Sequence, residues 1–182
     1  VASIISHAVA AFGIGVPFYR LGIAKRAWVL GAACSIIPDA DVVGFHFGIR
    51  YEDFWGHRGF THSLLFAALL AASVTIALRT SALGNRRLLW LYLFLATASH
   101  GLLDAMTDGG LGVALFSPFS TTRYFLPWRP ILVSPIGVAR FFSPTGLAVL
   151  RSELVWIWLP SVVLAFSALL LRRSMPTSRS SV

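Results

Sequence analysis

The stretch LLWLYLFLATASHGLLDAM, residues 88–106, decides the fold. An apolar helix needs about 17–25 residues to cross the hydrocarbon layer of a membrane, and this stretch has that length. The two side chains in it that titrate below neutral pH, His100 and Asp104, lie four apart near one end, so one helical turn stacks them on a common face. Asp108 follows after four more residues, and Gly109-Gly110 reads as the end of the helix. A carboxylate bordering lipid is costly unless it is paired or bound. The segment therefore spans, and it also asks what offsets Asp104.

Working outward, four further segments read as spans: residues 2–18, broken near Pro17; residues 27–38, short unless they run on through 42–45; residues 60–78; and residues 154–171, where Pro160 is a tolerated kink. The expectation is an all-α polytopic membrane protein of about five transmembrane helices, one domain over residues 1–171. Residues 172–182 read as a basic, disordered tail. The first segment has no basic leader and carries His7, so it reads as a retained helix rather than a signal peptide.

Composition agrees. Of 182 residues 57% are hydrophobic and 12% charged, against about 25% charged in soluble domains. This excludes a secreted disulfide scaffold, a disordered chain and a plain cytosolic enzyme. The single Cys34 reads as a packed thiol. A net charge of +8 would suggest nucleic acid in a soluble protein. Here the basic residues are spread between apolar segments, so they read as the flanks of membrane helices and no nucleic-acid partner is expected. If the five spans alternate, Arg20, Lys25, Arg26, Arg79, Arg86, Arg87, Arg172, Arg173 and Arg179 share one face. Arg50, Arg58, Arg123, Arg129, Arg140 and Arg151 share the other, in longer loops. The denser set belongs in the cytoplasm, with the N-terminus outward and the C-terminus inward.

On that map eight polar residues from four segments fall at the outer ends of the helices: His7; Asp39 and Asp41; His57 and His62; and His100, Asp104 and Asp108. Imidazole and carboxylate together suit zinc, manganese or iron, and this many donors exceeds what one tetrahedral ion takes. The competing reading is structural: Asp39 or Asp41 capping a helix, and Asp104 paired with Arg123 or Arg129. His46 reads as interfacial, and Glu52, Asp53 and Glu153 as solvated loop charges. The loop over residues 109–153, rich in aromatics and Pro, is either an interfacial belt or a lid whose Arg123 and Arg129 hold a phosphate oxygen.

The turn Pro38-Asp39-Ala40-Asp41, the run Gly56-His57-Arg58-Gly59-Phe60-Thr61-His62-Ser63, Ser99-His100-Gly101-Leu102-Leu103-Asp104 and Pro127-Trp128-Arg129-Pro130-Ile131 together resemble the YdjM-like family of bacterial inner-membrane metal-dependent hydrolases, most nearly its YbcI-type members. The likeness runs from His7 to Glu153-Leu154-Val155-Trp156. It is more distantly similar to the zinc-dependent phospholipase C and P1 nuclease group, whose zinc cluster is held by His and Asp from several helices. The resemblance implies His7, Asp39, His57, His62, His100 and Asp104 as metal ligands.

The expected function is a membrane-embedded hydrolase in which a metal-activated water attacks a phosphoester of a phospholipid or lipid-linked phosphate. Asp41 or Asp108 would serve as general base, and Arg123 or Arg129 would stabilise developing charge. The expected setting is the bacterial inner membrane, with membrane lipids as partners and the site on the extracytoplasmic side. The alternatives are an ion- or proton-coupled transporter and a non-catalytic protein tied together by a structural metal.

Overall fold

The computed structural model describes residues 1–78, 81–135 and 141–171. Helix α1 (Ile4–Arg20) is capped by Ser3, whose hydroxyl accepts from the Ser6 amide. Pro17 does not break it. The proline falls near the C-terminal end, so the backbone bond it cannot donate is lost close to the helix end and not in its middle, and Gly22 (φ 100°) lies just beyond. Helix α2 (Ala27–Ile36) runs directly into a 3-10 helix, Ile37–Phe47. The continuous rod is thus 21 residues long.

A single 3-10 turn, Phe60–His62, precedes α3 (Leu64–Leu78). Helix α4 (Arg86–Ala105) is capped by Asn85, whose side chain accepts from the Arg87 and Leu88 amides. The last helical run begins at Pro144, not at residue 154. It comprises α5 (Pro144–Glu153), a π turn at Leu154–Trp158 and α6 (Leu159–Leu171). Ser143 caps it and Pro144 opens it, a start signal hidden inside what reads as a loop.

All five expected spans are helical, and no strand occurs among the described residues. Ala27–Phe47, Arg86–Ala105 and Pro144–Leu171 are long and apolar enough to cross a membrane. The helices α1 and α3, with 17 and 15 residues, are shorter. Helix α3 is short because residues 60–63 turn into the interior instead of extending it.

Helix α4 is the centre of the bundle, against α1, α2 and α3, and α6 leans on α1. Small residues make the close approaches. A Cβ on Gly31 would lie 2.0 Å from the Tyr92 hydroxyl, and one on Gly13 would lie 2.8 Å from Cβ of Ser161. Around Tyr92 the core is apolar: Ala11, Phe18, Leu89, Leu93 and Ala96 are all buried. By contrast α6 buries nothing, and Val162, Val163 and Phe166 point outward, as suits a surface solvated by lipid.

At one end of the bundle lie Arg20, Lys25, Arg26, Arg86 and Arg87, drawn together where Ala24 donates to Leu83 O and Arg26 to Ala82 O. Arg79, Arg140 and residues 172–182, including the expected basic tail, lie outside the described residues. At the other end, residues 106–135 fold across the mouths of α3 and α4. Leu126 N donates to Ala105 O, Leu64 N to Leu115 O, and Ala114 N to Arg58 O. Val113 and Tyr124 exchange both backbone bonds in an isolated bridge.

Candidate metal centre

At that second end, three elements aim four donor atoms at a common point: Asp39 from the 3-10 helix, His62 from the 3-10 turn, and His100 with Asp104 from α4. His100 on α4 donates its Nδ1–H to Ser35 O on α2, 2.7 Å away. A carbonyl can only accept, so the tautomer is fixed and Nε2 keeps its lone pair. His62 reaches it because Gly101 has no side chain: a Cβ there would sit 2.6 Å from His62 O. The two Nε2 atoms are 3.0 Å apart. Asp39 Oδ1 lies 3.5 Å from His62 Nε2 and 3.4 Å from His100 Nε2. Asp104 Oδ2 lies 3.5 Å and 3.8 Å from the same two atoms.

Ligands about 2.0–2.1 Å from a tetrahedral ion stand roughly 3.3 Å from one another. The separations of 3.0–3.8 Å bracket that spacing. Asp39 Oδ1 and Asp104 Oδ2 are moreover buried without a hydrogen-bond partner. A buried unpaired acceptor costs about 1–3 kcal/mol, and more when charged. Two carboxylate oxygens and two imidazole nitrogens converging in this way fit a divalent cation, and the donor set is that of zinc, manganese or iron.

A second trio adjoins the first through His62: Asp41, His57 and His62 are all buried. Asp41 Oδ1 is 2.6 Å from His57 Nδ1, and its Oδ2 accepts from Thr61 Oγ1 at 2.7 Å and lies 3.2 Å from His62 Nδ1. The carboxylate thereby orients both imidazoles. Burial lowers the pKa of His57 from its ordinary value, against the opposing pull of Asp41. Its Nε2 is buried and unpartnered.

Two residues complete the inner shell. His7 on α1 stacks on His100 with ring centroids 3.7 Å apart, its Nε2 3.5 Å from Asp104 Oδ1. Arg58 is fully buried, with Nε 3.3 Å from Asp104 Oδ2, while it donates to Thr107 Oγ1 and Gly109 O. Its backbone is left-handed (φ 63°), a conformation a non-glycine residue holds only when its surroundings fix it. The partner of Asp104 is therefore Arg58, not Arg123 or Arg129. Arg58 stands in the Gly56–Ser63 run between two histidines, the one signal that would have singled it out.

The remaining candidates lie elsewhere. Asp108 is exposed, past the end of α4, and accepts from the Val133 amide. Arg123 spends its guanidinium on the backbone carbonyls of His57, Tyr51 and Asp53. Arg129 is exposed, over the Phe125 ring at 4.7 Å. His46 is exposed on the 3-10 helix. Glu52 and Asp53 pair with Arg50 at the surface.

Glu153 corrects its reading as a solvated charge. It is fully buried at the start of α1, accepting from the Ser3 amide and from the Ser3 and Ser6 hydroxyls. The unpaired amides of a helix N-terminus are a natural seat for an anion.

The model of the YdjM inner membrane protein family matches residues 3–175. Inner membrane protein YbcI of Escherichia coli (strain K12) is 41% identical over 163 residues, covering 89% of this chain and 94% of the relative. No solved structure matches the chain.

Proposed function

This chain belongs to the YdjM inner membrane protein family, and on that premise we propose that it is a membrane-embedded, metal-dependent hydrolase of lipid phosphoesters. One observation carries the reading: Asp39, His62, His100 and Asp104 converge within bonding distance of one cation while Asp39 Oδ1 and Asp104 Oδ2, both buried, accept no hydrogen bond. Zinc suits the donors best, with manganese or iron as substitutes. When bound, such an ion supplies the Lewis acidity that activates water near neutral pH.

The chain's own residues do the rest. The bond to Ser35 O keeps the His100 lone pair available, Asp41 sets the orientation of His62, and Arg58 balances the charge of Asp104. His57, with a free Nε2 and a carboxylate on its other nitrogen, is built to take a proton. The proposed substrate is a phospholipid or a lipid-linked phosphate, a choice supported by the site's place at the ends of helices long and apolar enough to cross a membrane. Its position opposite the basic cluster of Arg20, Lys25, Arg26, Arg86 and Arg87 supports an extracytoplasmic site under the positive-inside rule.

Four protein donors also favour a second reading. A closed set of four is the pattern of a structural ion, whereas a catalytic one keeps a position open. Turnover separates the two. Zinc-loaded protein in nanodiscs, offered phosphatidic acid, phosphatidylglycerol and a polyprenyl phosphate, releases product under the hydrolase reading and loses that activity in His100→Ala. A fully metal-loaded protein that turns over none of a broad lipid-phosphate panel supports the structural ion instead.

A further inference from the structure

Among the described residues of the metal cluster, Asp39 is the one that reaches a cavity. The Asp39 side chain is 10% exposed, while those of His7, Asp41, His57, His62, His100 and Asp104 are at most 1% exposed. Asp39 lies in the wall of a cavity of about 380 Å³. The other walls include Val1 and Ala2, Ile4 and Ile5 from the first turn of α1, Val42 from the 3-10 helix, Pro135, and Phe141 with Phe142 before α5. No Lys or Arg is among the described lining residues, and the polar side chains besides Asp39 are Ser3 and Ser134. Ser3 Oγ is already committed to Glu153.

We infer that this cavity holds one hydrocarbon chain of a membrane amphiphile, with the polar end of that molecule at Asp39. This deepens the hydrolase reading and rests on it only for calling the amphiphile a substrate. Among the described lining residues polar side chains are few, whereas the apolar walls let a chain bury surface against them, gaining about 25 cal/mol per Å². The volume is at the small end of the roughly 300–1,000 Å³ of small-molecule sites. It admits one chain rather than a two-chain lipid whole. Because the walls come from the ends of membrane helices, the chains at hand are those of the bilayer.

The test uses the full chain, loaded with zinc in nanodiscs, and hexadecyl phosphonate bearing a diazirine at the chain end, a probe that hydrolysis cannot consume. Irradiation is expected to label Ile4, Ile5, Val42, Phe141 or Phe142. Val42→Trp is expected to cut that labelling at least tenfold while retaining its metal. Should Val42→Trp lose metal, Ile5→Trp on α1 serves in its place. Labelling confined to the outward face of α6, or labelling unchanged in a metal-retaining Trp variant, overturns the inference. A protein labelled in the cavity that hydrolyses no lipid phosphate keeps the chain site and loses the hydrolase. One that hydrolyses but is labelled elsewhere does the reverse.

Discussion

His62 and His100 face each other nitrogen to nitrogen, their Nε2 atoms 3.0 Å apart, although they stand 38 residues apart in sequence. The approach depends on the residue after His100. With a hydrogen at Gly101, the backbone of His62 lies against α4; with a methyl group it cannot, because the Cβ would meet His62 O at 2.6 Å.

Gly101→Ala is accordingly expected to push the Phe60–His62 turn outward and weaken zinc binding by at least tenfold, with the protein still inserted in the membrane. Competition titration against a zinc chelator measures it. Unchanged affinity would show that the turn adjusts freely and that Gly101 has no part in shaping the site.

Arg58→Met removes the buried cation beside Asp104. Leaving one member of a buried ion pair unmatched costs about 3–5 kcal/mol, so metal-stripped variant protein is expected to unfold in detergent well below the wild type. Zinc, by supplying positive charge at Asp104, is expected to close part of that gap. Arg58→Lys should not restore stability, since one ammonium cannot reproduce the separate donors to Thr107, Gly109 and Asp104. Thermal unfolding of the three proteins with and without zinc checks both points, and an equal loss in the two states would contradict the charge argument.

Glu153→Gln replaces an acceptor that satisfies the Ser3 amide and two hydroxyls. The amide brings donors where only acceptors fit, a mismatch worth about 1–3 kcal/mol. The expected result is lower thermal stability with metal content unchanged, because Glu153 holds α1 and not the cluster. Loss of zinc on this substitution would mean that the seat of α1 controls His7 and the donors around it.

Much of this arrangement is legible in the chain. Apolar length locates every spanning helix, and the four-residue interval of His100 and Asp104 places both in the cluster. Asp39 and His62 follow from lying at the ends of neighbouring spans. What escapes is set by side-chain direction and by turns. Arg58 looks like one loop cation among several until its left-handed backbone sends it inward. Arg123, in an aromatic loop that suggests an anion clamp, instead ties that loop to backbone carbonyls near His57. Glu153 reads as solvated because the apolar run after it starts at residue 154; the helix start at Pro144 puts it inside a helix and against α1.

Asp41→Asn separates orienting from ligating. Outer partners of metal-bound histidine typically contribute 10–100-fold in affinity. The variant is expected to bind the same number of ions at saturation, with affinity reduced in that range. A drop in the number bound would make Asp41 a ligand of its own ion, shared with His57 and His62.

Elemental analysis of purified protein is the most direct measurement of the metal centre. Wild-type protein reconstituted with zinc and freed of excess is expected to hold at least one ion per chain, and His100→Ala and Asp104→Asn are each expected to lose it while remaining helical and membrane-inserted. Well-folded wild-type protein that takes up no zinc, manganese or iron on reconstitution would contradict the account, as would variants that retain the full complement.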